Sequence, residues 1–207
     1  MDHILKDNFP DRWITAEFPP AGGNNSALIG QWIKNNPKAV AFSTHTGSGP
    51  VPKIDGVKIV SVLFLRDPIA RIQSAYRFEA KQKAEKFGPV LARHTDLNGY
   101  VRTRLALPND RQCRNFQTKR LSTIVPGPES ELSRAQAAMA KLSLVGRVEA
   151  FDASMARLEM LLKPDFPEFS FQPTHANRTG KTNALDCELH KILIDHNQDD
   201  IALLKIV

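Results

Sequence analysis

The chain has 207 residues, 42% of them hydrophobic and 24% charged, the proportions of a globular chain able to bury its own core rather than of a disordered polymer. Two cysteines, Cys113 and Cys187, exclude a disulfide framework and a CxxC metal pair. No apolar run reaches the roughly 18 residues of a membrane span, and the opening Met1-Asp2-His3-Ile4 does not read as a secretory signal, so a cytoplasmic location is expected. The 28 Lys+Arg against 22 Asp+Glu give a formal charge of +6, which favours an anionic partner: nucleic acid, a phosphorylated cofactor or an acidic polymer. Nucleic acid is the weakest of these, because aromatic and basic residues do not interleave and no binding motif is present.

In chain order, residues 2–9 predict a short helix with Ile4, Leu5 and Phe9 on one side, and Phe18–Asn25 a Pro/Gly/Asn-rich loop. Ser26 opens a helix through Leu28, Ile29, Trp32 and Ile33 that stops at Asn35-Asn36-Pro37. Ala39–Ser43 is a short strand, and residues 44–52 are irregular. Val57–Leu65 (VKIVSVLFL) is the best strand, apolar enough on both faces to lie centrally in a covered sheet. Asp67 then caps, and Pro68 starts, a helix running to about Phe87, with Ile69, Ile72 and Tyr76 as its core stripe. Further helices are expected over 96–106, 109–122 and 130–142, then a strand over Leu144–Val148. A helix capped by Asp152 and carrying Met155, Leu158 and Leu162 follows, then a long loop over 163–184. Two closing helices, at about 186–196 and 199–206, complete the pattern. Strands alternating with helices predict one α/β domain over residues 1–207 with a mostly parallel sheet. A structureless stretch of about 20 residues in such a domain is often a functional lid.

The chemistry concentrates at Leu63–Phe78, LFLRDPIARIQSAYRF. Ligands of parallel sheets sit at the carboxyl ends of the strands, where Arg66 emerges. Arg71, Ser74 and Phe78 share a helix face opposite the core stripe. Arg66 can offer a planar fork to a phosphate, Ser74 a hydroxyl, and the capped helix start a positive dipole end. The alternative is that Arg66 pairs with Asp67 or another carboxylate, and that Ser74 only permits close packing.

This segment resembles the 3′-phosphate-binding motif of sulfotransferases, R-D-P-x-x-R-x-x-S-x-Y-x-F, in the carbohydrate-type branch that includes the heparan sulfate 2-O- and 6-O-sulfotransferases. The resemblance continues through NFQTKRLS (Asn115–Ser122), VGRVEAFDASMARLEMLL (Val145–Leu162), THANRTGKT (Thr174–Thr182) and a C-terminal stretch with Asn197, Asp200, Leu203 and Leu204. It implies a P-loop-like, nucleotide-kinase-like three-layer fold. The implied activity is transfer of a sulfuryl group from 3′-phosphoadenylyl sulfate (PAPS) to an acceptor hydroxyl, that of a carbohydrate, without a metal. In that resemblance Arg66 and Ser74 hold the donor's 3′-phosphate, and Arg178 and Lys181 in the NRTGK loop add positive charge beside donor or acceptor. His45, on a loop after the Ala39–Ser43 strand, is the general base, an imidazole being mostly neutral yet basic near pH 7, with His175 as fallback. The family's phosphosulfate loop, P-K-T-G-G-T/S after a strand, has no match: Gly22–Ser26 lacks the lysine and the preceding strand, and Met1–Leu5 looks like the helix that follows such a loop. An N-terminally truncated sulfotransferase is therefore the expectation. The alternative is a non-catalytic donor-nucleotide-binding or interaction protein on the same scaffold.

Overall fold

The computed structural model describes residues 1–19, 23–172 and 185–207. The chain divides into two compact units: Met1–Phe64 with Arg120–Gly146 and Ala150–Pro173, and Leu65–Lys119 with Arg147–Glu149 and Thr174–Val207. Helices alternate with short strands, as in an α/β fold. Over their sequence spans the first unit has 11 Lys+Arg and 11 Asp+Glu, and the second 17 and 11, so the second carries all of the +6.

In the first unit, α1 (Asp2–Asn8) leads into β1 (Trp13–Thr15), α2 (Ser26–Asn35) and β2 (Ala41–Ser43). β1 and β2 pair in parallel, Trp13 opposite Ala41 and Thr15 opposite Ser43, and α2 is the crossover between them. A strand of only three residues escapes hydrophobic-pattern reading, and β1 was not expected. The strand thought to be missing before Gly22–Ser26 is thus present, and α1 precedes it. Ile4, Phe9, Ala41, Leu144, Met155, Leu158, Leu162 and Phe169 form this unit's core, with α7 (Glu131–Lys141) and α8 (Phe151–Leu162) contributed by its later segments. The first part of the long 163–184 loop is held here: the Asn8 side-chain amide exchanges two hydrogen bonds with the Ser170 backbone, at 2.7 and 2.8 Å.

The expected Val57–Leu65 strand is shorter, β3 (Val62–Leu65), and pairs with β4 (Leu144–Arg147). Leu144 N–H bonds to Ser61 C=O and Val148 N–H to Leu65 C=O; both partners advance together, so this pair is also parallel. Val57 is 46% exposed and its N–H closes a turn on Ile54: apolar character alone does not make an extended segment a ladder. Among the described residues the strands form two separate pairs rather than one central covered sheet.

In the second unit, α3 (Pro68–Lys81) stops earlier than Phe87, and the Arg93 guanidinium binds the carbonyls of Gln82 and Ala84 just beyond its end. A separate helix, α4 (Phe87–His94), follows, with Gly88 and Pro89 in its first turn, where proline is tolerated. After α5 (Leu97–Ala106), the expected helix over 109–122 is reduced to α6 (Phe116–Ser122), because Arg114 takes up the carbonyls of Leu105, Leu107 and Asp110 in a loop. Helices α9 (Cys187–His196) and α10 (Gln198–Leu204) close the chain. The core holds Ile69, Ile72, Leu97, Tyr100, Val101, Cys113, Leu189 and Leu193, and burial pushes the Cys113 thiol up to about 12.

A buried ion cluster sits among α3, α4 and α5. Arg104 forks onto Glu79 at 2.7 and 3.0 Å and reaches Asp110 at 2.7 Å, while the Tyr100 hydroxyl donates to Glu79 at 2.8 Å. Gly88 lies so close that a Cβ there would meet the Arg104 and Glu79 termini at 2.5 and 2.6 Å. Arg104→Met is expected to lower stability by about 3–5 kcal/mol, the scale for removing one partner of a buried pair. A shift in urea midpoint worth under ~1 kcal/mol would show that the two carboxylates are satisfied without it.

Candidate functional site

The strand-to-helix corner of the second unit is built as its residues dictate. Asp67 accepts from the Ala70 N–H at 2.8 Å, Pro68 fills the first helical position, and the Asp67 N–H donates to Glu149 at 2.9 Å. Arg66 stands between the end of β3 and this cap. Among the described residues its guanidinium has no hydrogen-bond or ion-pair partner, so the pairing with Asp67 considered above is not formed there. The half-buried Ser74 hydroxyl, two turns into α3, is likewise without a partner among the described residues.

The backbone of Arg66 is held tightly. The Gln117 side-chain amide accepts from its N–H and donates to its C=O, both at 2.8 Å. Behind Gln117 lies Asp200, which has no solvent exposure; it accepts from the backbone N–H groups of Gln117 and Thr118 and from the Thr118 hydroxyl at 2.7–3.1 Å. Asp200 therefore caps α6, satisfying donors that a helix start leaves open. Asn115, just before α6, has φ 37°, a left-handed conformation that asparagine tolerates better than most residues. Its amide bonds to the Asp199 carboxylate and to the Asp199 and Asp200 N–H groups, and its N–H donates to the side chain of buried Asn197. The separate motif fragments NFQTKRLS and Asn197/Asp200 are one polar network.

Arg71, one helical turn before Ser74 on α3, is engaged by the protein itself. Its guanidinium binds the Gln112 backbone carbonyl and side chain and stacks over Phe116, 4.2 Å from the ring centroid. Burial pushes its pKa down, with Cys113 and Asp200 opposing the shift electrostatically. Arg71 is thus a packed brace rather than an exposed ligand. Phe78 is 64% exposed.

His45 belongs to the first unit and has a partner the sequence reading missed. Its Nδ1 lies 2.8 Å from the Glu17 carboxylate, and its N–H bonds to the same oxygen at 3.2 Å. The β1–β2 register, carried two residues past Thr15 and Ser43, brings Glu17 beside His45. Parallel register is the signal that finds Glu17, and it is invisible without β1. The loop is stitched down further: Arg120 donates to the His45 and Gly47 carbonyls at 2.8 and 2.9 Å. Buried Asn25 binds the Thr46 carbonyl and the Ser48 N–H, each at 2.8 Å. Gly49 takes φ 96°, and a Cβ there would strike the Asn24 side chain. Burial works to raise the Glu17 pKa, but hydrogen bonds from Thr46 and His45 outweigh it and hold the carboxyl below its ordinary value. An ionised Glu17 places the ring proton on Nδ1 and leaves Nε2 as an acceptor. The His45 side chain is 81% exposed.

Arg178, Lys181 and the fallback His175 lie outside the described residues. Among the described residues no cluster of three His, Cys, Asp or Glu is placed to hold a metal ion, and no helix is long and apolar enough to cross a membrane.

An α/β chain with Arg66 at the end of β3 and a Glu17–His45 carboxylate–imidazole pair is what sequence and geometry define. It is 35% identical to an uncharacterized protein of Archaeoglobus fulgidus, across 98% of this chain and 88% of the archaeal one, and it belongs to that protein's family. No family model matches the chain, and no solved structure does.

The Glu17 shift has a defined sign. A carboxyl whose folded pKa is depressed contributes stability that is present above its unfolded pKa and lost as pH falls through the folded one. Titration of the Glu17 carboxyl carbon by NMR should give a midpoint below the ordinary glutamate value, and Glu17→Gln should flatten that part of the stability-versus-pH curve. A midpoint at or above the ordinary value would mean that the His45 and Thr46 contacts do not persist in solution.

Proposed function

We propose that this chain binds 3′-phosphoadenylyl sulfate and transfers its sulfuryl group to an acceptor hydroxyl of a carbohydrate. The observation that carries this reading is the Arg66 guanidinium at the end of β3, without a partner among the described residues, within an R-D-P-x-x-R-x-x-S-x-Y-x-F segment whose backbone is fixed from behind. Arg66 and Ser74 hold the 3′-phosphate, the group that separates this donor from other adenine nucleotides. His45 Nε2 takes the acceptor hydroxyl proton as that oxygen bonds to sulfur. The bond from sulfur to the donor's phosphate oxygen breaks, and adenosine 3′,5′-bisphosphate leaves. Glu17 steadies the imidazolium so formed.

A second reading, a donor-nucleotide-binding protein without catalysis, is favoured by one feature. The strand–loop–helix corner between β1 and α2 is present, but its Gly22–Ser26 stretch holds no lysine to neutralise charge on the bridging oxygen.

Calorimetric titration with adenosine 3′,5′-bisphosphate and 5′-AMP tests the shared part of both readings. Arg66→Ala should cost about 1.5–3 kcal/mol in bisphosphate binding and Ser74→Ala about 0.5–1.5 kcal/mol, with 5′-AMP little affected. Equal losses for both nucleotides would mean damage to the fold instead. Transfer assays separate the two readings: in an active protein, His45→Ala should reduce turnover by roughly 10²–10⁴-fold while leaving bisphosphate affinity intact. Unchanged turnover would remove His45 from the reaction.

A further inference from the structure

Gln117 is 8% exposed, and its amide does two things at once. Toward Arg66 it behaves as a neighbouring strand would, one acceptor for the N–H and one donor for the C=O. Toward α10 its Nε2 lies 3.4 Å from the Asp200 carboxylate, and its own backbone N–H donates to the same oxygen. A carboxylate only accepts hydrogen bonds, so Asp200 dictates which end of the amide is nitrogen. With that end fixed, the Oε1 atom faces the Arg66 N–H and the donor faces the Arg66 carbonyl; the flipped amide would set donor against donor. β3 ends at Leu65, so Arg66 receives from a side chain the pairing that a longer ladder would have supplied.

We propose that Gln117, oriented by Asp200, is a positioning residue for phosphate recognition: it locks the Arg66 backbone at the strand end so that the guanidinium is aimed before ligand arrives. The proposal rests on the reading of Arg66 as the 3′-phosphate ligand. A preset fork loses less freedom on binding than one on a loose strand end, so the benefit falls on ligands that carry a 3′-phosphate and on no others.

The test is calorimetry on the full chain with adenosine 3′,5′-bisphosphate and 5′-AMP, comparing wild type with Gln117→Met, which keeps side-chain length and removes both hydrogen bonds. Wild type should prefer the bisphosphate, and the variant should lose about tenfold of that preference, the scale on which partners behind a binding residue act, with 5′-AMP affinity unchanged. A wild type that binds both nucleotides alike overturns the reading of Arg66, and this proposal with it. A discriminating wild type whose preference survives in Gln117→Met overturns the positioning role alone. Equal weakening of both nucleotides marks Gln117 as merely structural and also overturns it. A measurement on wild type guards against a variant that fails to fold: the Gln117 side-chain amide resonances should shift with the bisphosphate and stay put with 5′-AMP. Identical responses to the two would defeat the proposal.

Discussion

A carboxylate removed from water must have its oxygens occupied, or its burial costs several kcal/mol. Asp200 meets that condition by closing the start of α6, and much of the second unit is arranged by the requirement. Thr118 is there to supply a hydroxyl, Asn115 takes a left-handed turn so that α6 begins where the carboxylate lies, and Asn197 receives the Asn115 N–H while its amide fills the carbonyls of Cys113 and Leu193. Gln117 extends the same chain of bonds to the end of β3. A fully satisfied buried network of this kind favours one arrangement over its neighbours, and the arrangement it favours fixes the backbone of Arg66 at a strand end.

The two candidate sites are preorganised by different physics. At Arg66, the Gln117 side chain makes the bonds a neighbouring strand would make, and the guanidinium has no partner among the described residues. At His45, the functional group is bound directly: Glu17 fixes the imidazole, and Arg120 and Asn25 hold the loop that carries it. The first arrangement suits recognition, in which a charge must be free to meet another. The second suits proton transfer, in which a particular nitrogen must stay available.

Much of the fold was legible in sequence where local signals were strong. Asp67-Pro68 marked the start of α3, Ile69 and Ile72 marked its buried face, and Met155, Leu158 and Leu162 marked that of α8. The failures share a cause: they depend on what a segment meets rather than on what it contains. Val57–Val60 precedes the ladder of β3, and its Val57 N–H closes a turn on Ile54 instead. Residues 109–115 are looped where Arg114 binds the carbonyls of Leu105, Leu107 and Asp110, and β1 is too short to have a period. The site followed the same rule. Arg66, Ser74 and His45 could be named from motif and context, whereas Glu17 needed the parallel register, and the partners of Arg71, Gln112 and Phe116, come from a loop and helix that the motif does not contain. Asn115, Gln117 and Asp200 were visible as motif letters, and only the fold shows them to be one object.

The uneven distribution of charge between the units bears on encounters made at a distance. The first unit is formally neutral and the second carries the entire surplus. A polyanion or nucleotide diffusing toward the protein therefore feels a field that issues from one unit only, with a reach of about 8 Å at physiological ionic strength. Such a field turns an approaching anion before any contact forms, so the face of first collision is selected by the solution's salt as much as by the protein's shape. In dilute buffer the chain would capture anions from farther away and with a stronger directional bias, and in concentrated salt it would meet them as an uncharged surface does.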